Sequence, residues 1–439
     1  MIDILERWDD QLRTEAARLG LDDGPIDWRL VEADRIYELA ATGMPGVLRH
    51  WTHGRDYWYQ RSRLSQGEGR LYEMIVHAEP PIAYLLEGNT VAAQKLVMAH
   101  CRGHSFLYRR HVLYRDHPTD YPARFQAQDA RRQDYVEAYG PDAVEWVLDR
   151  AYALDDQVAD EPERPVQSQR LPTDPYQDLF PRDPAPKVVR PPRYRLPTRD
   201  LLGFLGRYSP ILADWERDLV MSVRQEGLAL MPNRQTKLIH EGWACWVQQT
   251  LCRQLPVSDG EEVEMARVWA HVVSAHPASL NPYLFGWRFI NWLIDEYGLD
   301  TAVQAVMTET DASLIRNWLT PEAARALNLY HYEWAQELMP QHGRVWVARR
   351  AALPTAPEVW ESWRAELAEM LVRPIPEVWV TAVDHGTLVL THQTPSRPLD
   401  PEWTQATLKA VRDLWGASVR LIDGQRTYLE PEGTGSRSE

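Results

Sequence analysis

Cysteine is nearly absent: three occur in 439 residues, Cys101, Cys245 and Cys252, with no CxxC pair. That is too few and too scattered for a disulfide framework. Positive charge is in deficit too. Lys and Arg number 48 against 63 Asp and Glu, a formal net charge of −15. A general nucleic-acid binder needs a positive footprint on the phosphate backbone, so this class is disfavoured, although a small basic patch is compatible with the total. No apolar run approaches the roughly 18 residues of a spanning helix, so no membrane span is expected. There is no Gly-rich phosphate loop and no internal repeat. The N-terminal MIDILERWDDQL is acidic and amphipathic, which reads as a helix rather than a secretory leader and makes the cytoplasm the expected location.

What is present is globular in character. Hydrophobic residues make up 44% and charged residues 25%, with 19 tryptophans to fill a core or line a cleft. The spacing of Ile2, Leu5, Trp8 and Leu12 predicts a first helix. Further helical stretches are expected over 27–42, closed by Gly43, and over 90–110, 129–153, 199–230, 235–253, 261–275, 281–298, 300–308 and 320–339. Residues 67–86 read as helical or mixed, and MPN at 231–233 reads as a break. Asn281 and Pro282 suit a helix cap and first position. After Pro374 the texture changes: VWVTAVDHGTLVLTHQ predicts two strands around an Asp-His-Gly turn, then a helix ended by Gly416, then two short strands. The expected fold is a mainly α-helical large domain with a small C-terminal α/β unit. The divisions fall at 1–156, a proline-rich crossover or linker at 157–197, 198–374, and 375–439 with a frayed tail.

Two segments carry candidate chemistry. In MAHCRGHSF (98–106), His100 and His104 are four apart and share a helical face, the spacing at which one helix gives two imidazoles to a metal. Gly103 between them permits close backbone approach. The alternative is a hydrogen-bonded structural pair. Glu87, thirteen residues before His100, is a candidate ligand or acceptor for a ring N–H. In KLIHEGWACW (237–246), His240 and Glu241 begin an HExxH pattern that fails because position 244 is Ala. Glu241 remains a candidate ligand or general base, and Glu226 a further carboxylate with a base role. Two histidines and a carboxylate suit zinc or iron. The alternative places Glu226 and Glu241 in buried ion pairs with Lys237 or Arg234. His271 and His276 are five apart and read as structural. The aromatic and basic RHWTHGRDYWYQRSR (49–63) reads as a loop packed over a core rather than a nucleic-acid surface.

Taken together, GMPGVLRHWTHGRDYW (43–58), YEMIVHAEPPIAYLLEGNT (72–90), LVMAHCRGHSFLYRRHVLYR (96–115), PTRDLLGFLGRYSPILADWERDLV (197–220), RQEGLALMPNRQTKLIHEGWACW (224–246) and NPYLFGW (281–287) resemble the SpoVR family, named after a stage V sporulation protein. The resemblance covers most of residues 25–370. It implies a bacterial cytoplasmic protein, with a founding member linked to spore cortex formation. The family's histidine pair falls on His100 and His104, and the glutamate of its NEGWA segment on Glu241. Cys101, His240 in place of that asparagine, and Gly227 depart from the family pattern. Two functions follow as expectations. One is a metal-dependent hydrolase with zinc or iron, acting on a peptide-like or cell-wall-related substrate. The other is a non-enzymatic regulatory or scaffold protein of sporulation, envelope or stress physiology with a protein partner.

Overall fold

The computed structural model describes residues 2–21, 24–65, 73–161, 194–274, 280–329, 331–339, 343–371, 375–394 and 398–432. Sixteen helices and nine strands lie among the described residues. In order, the chain forms α1 (Ile2–Arg18), β1 (Asp27–Val31), α2 (Ala33–Thr42), α3 (Trp51–Ser65), β2 (Glu73–Val76), β3 (Ile82–Leu86), α4 (Val91–Arg110), α5 (Tyr121–Tyr139) and α6 (Pro141–Tyr152). It continues with α7 (Leu201–Tyr208), α8 (Asp214–Gln235), α9 (Lys237–Cys252), α10 (Asp259–Val272), α11 (Pro282–Tyr297), α12 (Leu299–Thr308), α13 (Asp311–Trp318) and α14 (Pro321–Ala326). The last part holds β4 (His331–Met339), β5 (Gly343–Ala351), α15 (Pro357–Leu371), β6 (Val378–Asp384), β7 (Thr387–His392), α16 (Pro401–Trp415), β8 (Val419–Asp423) and β9 (Arg426–Glu430). Two compact units result: Met1–Asp129 with Ala229–Pro374, and Ala130–Leu228 with Ile375–Glu439.

The first unit is built around α9, which packs between α4 and α11. Helix α4 starts at Thr90, whose side chain accepts from the Ala93 N–H, and every residue from Leu96 to Tyr108 is buried. A helix apolar or paired on all sides belongs inside a core rather than on its surface. Small residues allow the crowding. A Cβ on Gly103 would stand 2.5 Å from Ala244 Cα, and one on Gly242 would stand 2.4 Å from the Gly286 carbonyl carbon. Trp243, Val247 and Leu251 of α9 then join Phe106, Phe285 and Phe289 in one apolar cluster. Helix α1 docks on α4 through Trp8 Nε1, which donates to Lys95 O at 2.9 Å, and through the Arg102–Asp9 ion pair. A small sheet ordered β1-β3-β2 has β3 parallel to β1 and antiparallel to β2.

The start of α9 is held by a distant carboxylate. Asp311 accepts from Leu238 N at 2.7 Å and Ile239 N at 3.0 Å, two donors that a helix start leaves without internal partners. Asp311→Ala should therefore lower unfolding free energy by about 1–2 kcal/mol, measured by urea denaturation. A loss under a few tenths would show that water replaces the cap.

In the second unit the sheet order is β6-β7-β8-β9, with β7 and β8 parallel and the outer pairs antiparallel. Helix α16 packs on β8, β9, α6 and α7. The Asp-His-Gly turn forms as expected, with His385 at φ 47° and Gly386 at φ 89°. Gly416 ends α16 in the left-handed region at φ 86°.

The helix-rich body and the small C-terminal α/β unit match the sequence reading, while several elements differ. Residues 27–31 form β1, not the first turn of a helix, and residues 73–86 hold two strands. The stretch 320–339 is helical only to Ala326 and then becomes β4, paired antiparallel with β5. MPN does not break α8. Pro232 lies in its last turn, where it removes one i→i−4 donor without ending the helix, and Thr236 Oγ1 donates to Pro232 O at 2.7 Å. Most of the proline-rich segment, 162–193, lies outside the described residues, as does His276.

Candidate metal centre

Close approach of α4 and α9 at Gly103 and Ala244 sets the site. His100 lies three residues before Gly103 and His104 one after, so both rings stand on the α4 face that meets α9. Glu241 lies three residues before Ala244 on the facing helix. Its Oε2 is 3.6 Å from His100 Nε2 and 3.7 Å from His104 Nε2. Those separations are too long for hydrogen bonds. They are close to the roughly 3.4 Å between donors around a tetrahedral ion with bonds of about 2.0–2.1 Å. The three donor atoms all lie within 4.8 Å of one another. Glu241 Oε2 is buried and has no hydrogen-bond partner. Leaving a buried carboxylate oxygen unsatisfied is costly, and a cation between it and two imidazoles removes that cost. The residues therefore fit a divalent ion.

The surrounding groups orient the donors. Gln248 Oε1 lies 3.1 Å from His100 Nδ1, so the ring N–H is held there and the lone pair is left on Nε2. His104 Nδ1 lies 3.0 Å from His240 Nδ1. With His104 as donor in that bond, its Nε2 lone pair faces Glu241. Lys237 Nζ stands 3.5 Å from the second carboxylate oxygen, Oε1. Burial, reinforced by His100, pulls His104 down to about 3, and burial with His104 nearby holds His240 well below its usual range. Both rings are thus neutral at neutral pH, the form that binds metal. Burial raises the Glu241 carboxyl, but His100, Lys237 and His104 more than offset this and leave it below the usual carboxylate range. Asp311 nearby is pushed up to about 7 by burial, against the pull of its two backbone donors.

The structure brings together three of the five residues singled out. Glu87 is exposed in the turn before α4. It precedes the start of α4 at Val91, and the nine helical positions from there to His100 alone amount to about 14 Å of rise. Glu226 belongs to the second unit, where it is buried and accepts from Tyr152 OH at 2.7 Å. His271 is exposed. Position 240, a departure from the family pattern, holds a partner of His104 rather than a fourth donor. Gln248 escaped the sequence reading, although its place seven residues after Glu241 puts it two turns along the same face of α9. Gln248→Leu should weaken metal binding about 10–100-fold, read by competition with a chromogenic chelator. An unchanged affinity would remove Gln248 from the site. The aromatic-basic stretch is also not packed over a core. On α3, Trp51, Trp58 and Tyr59 are 56%, 63% and 64% exposed, and the Arg55 and Arg61 guanidinium groups lie over Trp51 and Trp58.

A family model described as SpoVR like protein matches residues 1–343, which includes the whole histidine–glutamate cluster. The chain belongs to the SpoVR family. Residues 376–425 match the model described as SpoVR-like C-terminal domain, the segment that holds β6, β7, α16 and β8. A similar protein is the uncharacterized protein YcgB of Escherichia coli (strain K12), 26% identical over 380 residues, covering 75% of this chain and 74% of the relative. No solved structure matches. Among the described residues, no helix of this SpoVR-family chain is long and apolar enough to cross a membrane.

Proposed function

We propose that the chain is a metal-dependent hydrolase that holds zinc or iron through His100 Nε2, His104 Nε2 and Glu241 Oε2. The observation that carries this reading is the buried Glu241 Oε2, close to two imidazole nitrogens and hydrogen-bonded by neither. Two nitrogens and one carboxylate leave a coordination position for water or substrate. A divalent ion bound there supplies a Lewis acid and a water that ionises near neutral pH. The chain's own groups hold the donors: Gln248 fixes the His100 tautomer and His240 bonds to His104. Glu226, engaged by Tyr152, has no part in this reading. The substrate class is peptide-like or related to the cell wall, and the setting is the bacterial cytoplasm.

The test is metal content by mass spectrometry after purification without a histidine tag. Near one zinc or iron per chain is expected, falling below about a tenth in His100→Ala and His104→Ala, with circular dichroism unchanged. A parent that takes up neither zinc, iron nor manganese on reconstitution would overturn it.

A second reading is favoured by burial. The ligand side chains are only 5%, 9% and 12% exposed for His100, His104 and Glu241, as suits an ion that clamps α4 to α9 in a scaffold protein. Cobalt substitution separates the two. Added azide should perturb the visible spectrum of an open catalytic centre and leave a closed clamp unchanged.

A further inference from the structure

We propose that the open side of this centre is an anion site, in which Lys237 Nζ grips a carboxylate or phosphate group of the ligand. The proposal rests on the metal reading above and deepens it. Lys237 is the first residue of α9, one turn before Glu241, so its side chain rises over the same helical face. Its side chain is 63% exposed, whereas none of the three donor side chains exceeds 12%. The solvent side of the cluster is therefore the lysine side. The Tyr283 ring, in the first turn of α11, stacks on His100 with centroids 6.1 Å apart and planes inclined by 27°.

Charge decides what can enter. Lys237 and Glu241 alone sum to zero. A divalent ion adds two positive charges and metal-bound imidazoles add none, so the loaded site carries +2, or +1 when Asp311 is ionised. The other carboxylate nearby, Asp311, is committed to the Leu238 and Ile239 N–H groups. An ion on Oε2 also draws electron density from the Glu241 carboxylate and weakens its hold on Lys237. The lysine contact is already long at 3.5 Å, and the four-carbon stem is flexible. The ammonium can then turn to an anion arriving at the open coordination position. Such a ligand has its anionic group within a few ångströms of the group bound to the ion, as at the end of a peptide or on a phosphorylated fragment.

The experiment compares the full-length parent, Lys237→Met and Lys237→Arg, each loaded with zinc and checked for stoichiometry by mass spectrometry. Inorganic phosphate and N-acetylglycine are titrated separately by calorimetry. The parent should bind at least one of them in the millimolar range or tighter. Lys237→Met should weaken that binding at least tenfold at unchanged metal content, and Lys237→Arg should keep it within about threefold. The tighter probe assigns the anion as phosphate or carboxylate. Equal binding by the parent and Lys237→Met, or no binding of either anion to zinc-loaded parent, overturns the anion site while leaving the metal centre standing. Failure of the parent to load zinc removes the metal reading and this proposal with it.

Discussion

Gly103→Ala should lower the unfolding free energy by about 2–3 kcal/mol and reduce metal uptake in the same variant. Alanine ordinarily favours a helix interior over glycine by about 0.5–1 kcal/mol. Here the added carbon would lie 2.5 Å from Ala244 Cα and 3.1 Å from its Cβ. Neither is the movable end of a flexible chain, so α4 and α9 must separate by a fraction of an ångström or more. The donors ride on those two helices, and an ion with bonds near 2 Å tolerates little of that displacement. Gly54→Ala on α3 is the control, because nothing lies within 4 Å of its added carbon. It should be neutral or slightly stabilising. Urea denaturation and metal analysis of both variants decide the matter. A Gly103→Ala protein as stable and as metal-rich as the parent would mean that the helix contact is looser than described.

Acidification from about pH 6.5 to 4 should cost the metal-free protein up to about 3 kcal/mol through His77 alone. His77 is buried beside Tyr108, Tyr114 and His117. Burial, with His117 and Arg109 nearby, holds its imidazolium form down to about 4, against a usual 6.5. Between those values the unfolded chain binds a proton that the folded chain refuses, so stability rises with pH across that window and is lost as pH falls through it. Asp311 works in the opposite sense. Its carboxyl is raised to about 7, so its contribution is complete below the unfolded value of 3.8 and is lost as pH rises through 7. His77→Phe isolates the first effect. Its unfolding free energy should match the parent near pH 7.5 and exceed it near pH 4.5. Parallel pH profiles for the two proteins would refute the assignment.

How far the sequence could be read depended on whether the signal was local. The four-residue spacing of His100 and His104, the Asn281-Pro282 start of α11 and the Gly416 end of α16 are contained within a turn or two, and all three formed as expected. The strands were harder. β1 has no buried residue, so its pattern cannot alternate, and β3 is a short apolar run that periodicity cannot tell from a buried helix. β4, with Glu, Ala, Gln, Leu and Met in its sequence, is rich in helix formers, yet it pairs along its length with β5. In the site, Glu241 was legible only as a carboxylate looking for partners. The bonds from Gln248 to His100 and from His240 to His104 span 148 and 136 positions. No window along the chain contains such a pair.

The same separation has a consequence on the ribosome. The first compact unit is interrupted by residues 130–228, and the glutamate of the site is made 137 residues after His104. At about 5–20 residues per second, roughly 7–27 s pass between the two. For that interval α4, destined to be covered on every side from Leu96 to Tyr108, has no α9 to cover it. The nascent chain therefore carries a helix destined for full burial unsheltered while residues 130–228 of the second unit are synthesised. Slowing or stalling translation between codons 130 and 240 should increase misfolding more than the same delay placed after codon 300.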